Sequence, residues 1–159
     1  MKITNRRING VKLVEFDTFN DDRGCFNRVY DLREFELKGL PTCWVQENYS
    51  ISKYRGTMRG IHLQLGDWAE AKLIQCLTGS VFDVFVDLRS DSLSFGEYGT
   101  YALDSKKHDA LFLPRGIGHA SITLEDNTMI YYKVDNSYNP KSEVSVFWRD
   151  KDIGIDWDS

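Results

Sequence analysis

The run "SVFDVFVDLR", residues 80–89, alternates with a period of two, the spacing of a strand with two different faces. Val81, Asp83, Phe85 and Asp87 share one face, while Phe82, Val84, Val86 and Leu88 share the other. The second face is wholly apolar. The first carries two carboxylates, which line a polar cavity if it points inward and are simply solvated if it points outward. Short β-rich runs recur with turn signals between them: "GVKLVEFDTF", "CFNRVY", "CWVQENYSIS", "AKLIQCL", "GTYALD", "ALFLP", "ASITL" and "MIYYKVDNSY". Strands at this spacing predict an all-β sandwich or barrel. A short helix is expected near "DLREFEL", and no repeat, low-complexity tract or linker interrupts the chain.

Composition narrows this picture. At 159 residues with 42% hydrophobic and 13% aromatic content, one domain over 1–159 with a real core is expected. A net charge of -4 gives no electrostatic reason to expect a nucleic-acid partner. No apolar run is long enough to span a bilayer, and "MKITNRRING" lacks the apolar stretch of a secretion signal, so no membrane partner and a cytoplasmic location are expected. Cys25, Cys43 and Cys76 are an odd number without metal-type spacing, which predicts buried thiols rather than a disulfide framework.

Candidate chemistry centres on "RGIHLQ", residues 59–64, because the chain has only three histidines. Gly56 followed by His62 resembles the frame of a metal-binding cupin barrel, but Gln64 stands where those barrels place a second histidine. Pro114, Gly116 and His119 form a P-x-G-x-x-H turn like the one that carries another cupin ligand. Two candidate ligands remain, whereas a catalytic metal generally has at least three from the protein. No metal and no cofactor are expected. His108, in the polar loop "SKKHDA", reads as exposed.

In order along nearly the whole chain, "DDRGCF", "WVQENYSIS", "MRGIHLQ", "AKLIQCLTGSVFDVFVDLRSDSLSFG", "LFLPRGIGHA", "YYKVDNSYNP" and "FWRDKDIGIDW" resemble the dTDP-4-dehydrorhamnose 3,5-epimerase family of metal-free cupins. The resemblance implies a cupin-type jelly-roll, a homodimer, and epimerisation of a nucleotide-linked 4-keto-6-deoxy sugar for surface carbohydrate. The keto group acidifies the hydrogens on C3 and C5, so a base on one face and an acid on the other suffice. His62 suits the base, since imidazole titrates near neutrality. Tyr132 matches the acid position, and Lys72 would stabilise charge on the C4 oxygen. Arg59 and Arg23 would meet the diphosphate. Gln46, Asn48, His119, Arg28 and Tyr138 are further implied substrate contacts.

Three departures from the family pattern shape further expectations. Family members usually continue past the final tryptophan motif to an aspartate that holds the catalytic histidine, whereas this sequence stops at Ser159. Asp83 is therefore the expected orienting partner of His62. Arg28 stands where a glutamate near the nucleobase is usual, and Ser137 where an aromatic ring commonly stacks on thymine. Arginine can hydrogen-bond guanine, so GDP-hexoses and heptoses stand beside dTDP-hexoses as expected substrates. A cupin 3,4-ketoisomerase and a non-catalytic nucleotide-sugar binder are the alternatives.

Overall fold

The structure, a computed structural model, describes residues 1–157; Ser159 lies outside the described residues. Its two main sheets form the sandwich predicted from the strand pattern. The six-stranded sheet has the order β1 (Lys2–Asn5), β2 (Lys12–Glu15), β10 (Asp109–Leu113), β7 (Lys72–Thr78), β12 (Thr128–Val134), β5 (Gln46–Ser52). The five-stranded sheet has the order β13 (Glu143–Ser145), β6 (Met58–Gln64), β11 (Ile117–Thr123), β8 (Ser80–Asp87), β9 (Tyr98–Asp104). Every described pairing in them is antiparallel, and the chain crosses repeatedly from one sheet to the other in the manner of a jelly roll. A separate hairpin pairs β3 (Thr18–Asp21) with β4 (Gly24–Asn27).

The alternation in β8 now has a direction. Val81 and Phe85 enter the core between the sheets, with Ile74 from β7, Leu111 from β10 and Ile130 from β12. Asp83 and Asp87 share that inner face and are fully buried. Val84 and Val86 face the other way and are covered by Val146, Ile153, Ile155 and Trp157 from the C-terminal segment. The outer face of the six-stranded sheet packs Val14, Leu73 and Phe112 against Phe35, the buried residue of α1 (Leu32–Leu37). That helix lies where "DLREFEL" predicts it. Asp31 caps it by accepting from the backbone amides of Arg33 and Glu34, the usual role of a carboxylate at the first turn.

Some elements differ from the sequence pattern. "GVKLVEFDTF" breaks into β2 and β3 instead of one strand, and β1, β6 and β13 were not marked by any alternating run. In β6 the reason is Gly60: its φ is +99°, and a Cβ there would lie 2.2 Å from the carbonyl oxygen of His119. Only glycine permits this approach of β6 to β11. The ladder beside it is irregular between His119 and Ser121, with His62 paired to His119. All three cysteines are free, but only Cys76 is buried. Cys25 sits on the projecting hairpin and Cys43 in the connection leading to β5, which the β-rich sequence pattern around them did not reveal.

Candidate active site

A cavity of about 670 Å³ opens between the two sheets, within the size range of small-molecule sites. Strand alternation sets the walls on β5, β7, β12 and β11, whereas on β6 the irregularity beside Gly60 lets Arg59 and His62, three residues apart, both reach the cavity. From the six-stranded sheet, β5 turns Gln46 and Asn48 inward, β7 begins with Lys72, and β12 contributes Tyr132. The neighbouring Tyr131 points away and donates its hydroxyl to Glu47. From the five-stranded sheet, β6 contributes Arg59 and His62, and β11 contributes His119. Tyr138 and Glu143 line the cavity as well, and the Tyr138 hydroxyl donates to Glu143 at 2.7 Å.

His62 and Tyr132 therefore face one cavity from opposite sheets. Burial, reinforced by the nearby Lys72, His119 and Arg59, pushes the His62 imidazole down to about 3 instead of the near-neutral titration its residue type suggests, so near pH 7 the ring is neutral with a free lone pair, and a weaker base than an ordinary imidazole. Burial raises the Tyr132 phenol, and the carboxylates of Glu70 and Glu143 add to the effect while Arg59 opposes it. Tyr132 thus keeps its proton. One wall offers a base and the other an acid.

Asp83 does not orient His62. Its Oδ1 accepts from Nε2 of His119 at 2.5 Å, and among the described residues its Oδ2 has no partner. Burial raises the Asp83 carboxyl while His119 pulls it down. The His62 ring stands edge-on to His119 with 6.1 Å between centroids and has no carboxylate partner among the described residues. The expectation of an Asp83–His62 pair fails because the strand alternation fixed the face of Asp83 but not which of two neighbouring imidazoles it would meet.

Gln64 is held by four hydrogen bonds. Its Nε2 donates to the carbonyls of Trp68 and Ser137 and to Glu70, and its Oε1 accepts from the amide of Asn139. These bonds tie the 136–139 turn to the 66–70 segment at the cavity wall. Among the described residues, no group of three histidine, cysteine or carboxylate side chains is placed to hold a metal, and no helix is long and apolar enough to cross a membrane.

The family model for dTDP-4-dehydrorhamnose 3,5-epimerase matches residues 5–159. The chain belongs to this family. It is 37% identical over 158 residues to the dTDP-4-dehydrorhamnose 3,5-epimerase of Escherichia coli K12, spanning 99% of this chain and 85% of that one. The structure of the epimerase from Bacillus anthracis, with TDP and diphosphate bound, superposes with a TM-score of 0.95 at 38% identity, covering 99% of this chain and 90% of the other. The epimerase from Legionella pneumophila, in complex with dTDP-4-keto-L-rhamnose, gives 0.93 at 33% identity, covering 99% and 83%. The fold of this epimerase family is thus the sandwich described above.

Against that family background, the remaining candidates lie elsewhere. Arg23 is at the tip of the β3–β4 hairpin, with its side chain 90% exposed and its guanidinium 2.6 Å from Asp21. Arg28 follows the hairpin and approaches Asp31 at 4.0 Å. Neither lines the cavity of its own chain. His108 is only partly exposed and meets Cys25 at 3.9 Å, because the hairpin folds beside its turn. Ser137 uses its backbone carbonyl, and the ring at the cavity comes from the next residue, Tyr138. Sequence reasoning missed Glu70, Glu143 and Ser121, all of which line the cavity. Charged residues are ordinarily solvent-facing, and only the position of Glu70 two residues before Lys72 could have signalled it.

Proposed function

We propose that this protein epimerises C3 and C5 of a dTDP-linked 4-keto-6-deoxy sugar by proton transfer between its own side chains. The observation that carries the reading is that His62 and Tyr132 face one cavity from opposite sheets, with burial favouring the neutral imidazole and the protonated phenol. His62 removes the proton next to the C4 ketone, and the C–H electron pair moves into the ring to give an enolate. Lys72 meets the negative charge on the C4 oxygen; a cation already in place needs no reorganisation at that moment. Tyr132 then protonates the opposite face of the same carbon, which inverts it. Exchange of both groups with water resets the site.

Arg59 and Tyr138 take the diphosphate and the nucleobase, with Gln46, Asn48 and His119 as further polar contacts. The dTDP-named relatives support thymidine over guanosine. The working unit is a homodimer in which the β3–β4 hairpin carries Arg23 and Arg28 to the partner subunit's cavity. Phe19 and Phe26 on that hairpin are 63% and 60% exposed, an apolar ribbon suited to burial against another chain. The nucleotide-sugar substrate fits a cytoplasmic role in making surface carbohydrate.

The test is incubation with dTDP-4-keto-6-deoxyglucose in heavy water, with deuterium uptake read by mass spectrometry and the product by NMR. Uptake at C3 and C5 with inversion is the expected result. A protein that binds dTDP but takes up no deuterium is a binding homologue, and movement of the keto group to C3 identifies a ketoisomerase.

A further inference from the structure

We propose that Glu70 is a positioning residue of the proton-transfer site, one that fixes the Lys72 ammonium at the cavity wall and holds a negative charge in the cavity that Tyr132 also lines. The inference rests on the epimerase reading above. Glu70 follows the 3-10 turn Gly66–Trp68 and precedes β7. Its Oε1 is 3.2 Å from Nζ of Lys72, with the two side chains only 9% and 7% exposed. Its Oε2 accepts from Gln64 Nε2 at 2.9 Å, and that amide is itself held by the carbonyls of Trp68 and Ser137. The carboxylate is thus fastened on both sides while still lining the cavity.

A buried carboxylate is costly unless paired, and next to a developing enolate its charge opposes the reaction. Its use is to order the site. Lysine carries its charge on a flexible four-carbon stem, and the pair with Glu70 confines that charge to one place before the substrate arrives. The second effect reaches Tyr132. The charged and titratable groups that share the cavity with the phenol are Arg59 and His62 on β6, His119 on β11, Lys72 on β7, the Tyr138 hydroxyl, and the carboxylates of Glu70 and Glu143. After burial, Glu70 is the largest of the influences that keep the phenol protonated.

The sign of the consequence is fixed. Taking the negative charge away favours phenolate, so Tyr132 gives up its proton at lower pH and the acid is lost sooner as pH rises. In Glu70→Gln the alkaline limb of the kcat/KM profile is expected to move down by about half a unit or more, with kcat reduced roughly tenfold and KM changed less. Glu70→Asp keeps the charge and is expected to restore the limb while remaining slower than wild type. Circular dichroism and dTDP binding establish that both variants fold.

If Glu70→Gln lowers kcat but leaves the limb where it was, Glu70 is only structural and the proposal is wrong. Unchanged kinetics overturn it equally. If wild type itself turns over no 4-keto sugar, the epimerase reading fails instead. The phenol titration, followed as the ultraviolet difference between proteins with Tyr132 and with Tyr132→Phe, then decides on Glu70 alone: a curve not displaced by Glu70→Gln ends the proposal.

Discussion

Asp83 and His119 form a buried carboxylate–imidazole pair diagonally across the β8–β11 ladder, where Asp83 lies opposite Ser121 and His119 opposite Phe85. Diagonal neighbours on one sheet face are within side-chain reach, and the strand register brings these two together under the cavity. Replacing one member leaves the other buried without its match. Asp83→Asn is therefore expected to lower unfolding stability by about 1–3 kcal/mol, measured by urea denaturation. Stability within experimental error of wild type would show that the pair contributes nothing net. Any accompanying loss of activity acts through His119, since Asp83 does not touch His62.

His62 and Tyr132 should separate two steps. His62→Asn is expected to abolish deuterium uptake at both carbons, by about a hundredfold or more, while dTDP binding and thermal stability persist. Tyr132→Phe keeps the base but removes the acid on the opposite face, so hydrogen exchange survives and inversion falls. Exchange that survives in His62→Asn removes His62 from the base role. Equal loss of exchange and inversion in Tyr132→Phe ends the division of labour between the two sheets.

The His62 environment sets a pH dependence. Its neutral form is the active base, and the imidazole lies at about 3 rather than at its ordinary 6.5. The base is thus ready in the free protein throughout mildly acid conditions, and kcat/KM is expected to stay flat from pH 7 to about pH 5. A protonation limb near 6.5 would contradict this. Stability runs with the same sign. Between about 6.5 and 3 the unfolded chain binds a proton at this position that the folded chain does not, so the folded state loses stability as pH falls through that window. His62→Asn removes this contribution, and its melting temperature should decline less between pH 7 and pH 5.

The β8 alternation was fully legible, because a period of two decides which side chains share a face. Which face was inner, and what Asp83 touched there, depended on β11 some 36 residues later, beyond any local pattern. β6 went unmarked because Gly60 interrupts the alternation, although that glycine is what lets the strand bring His62 beside His119. Lys72, Tyr132, Gln46 and Asn48 came from family resemblance, and their convergence follows from inward positions on β7, β12 and β5. Glu70 and Glu143 stayed hidden because a lone carboxylate next to a strand has the same local signature whether solvated or buried.

Resemblance assigns Arg23 to the diphosphate site, yet Arg23 sits exposed on the β3–β4 hairpin and does not line the cavity of its own chain. If the hairpin serves a neighbouring subunit, each site combines His62 of one chain with Arg23 of another. Arg23→Ala and His62→Asn should then each be nearly inactive alone, the first through weakened diphosphate binding and the second through loss of the base. Unfolded together and refolded as a mixture, about half the dimers are mixed, and each mixed dimer holds one site with both residues intact. Activity should return to roughly a quarter of the wild-type level. A hairpin acting only within its own chain gives a different outcome: each chain in the mixture lacks one needed residue, and no activity returns. Light scattering on the same samples reads the assembly directly. A wild-type monomer with full activity would remove the shared site altogether, and Arg23 would then be a surface cation paired with Asp21.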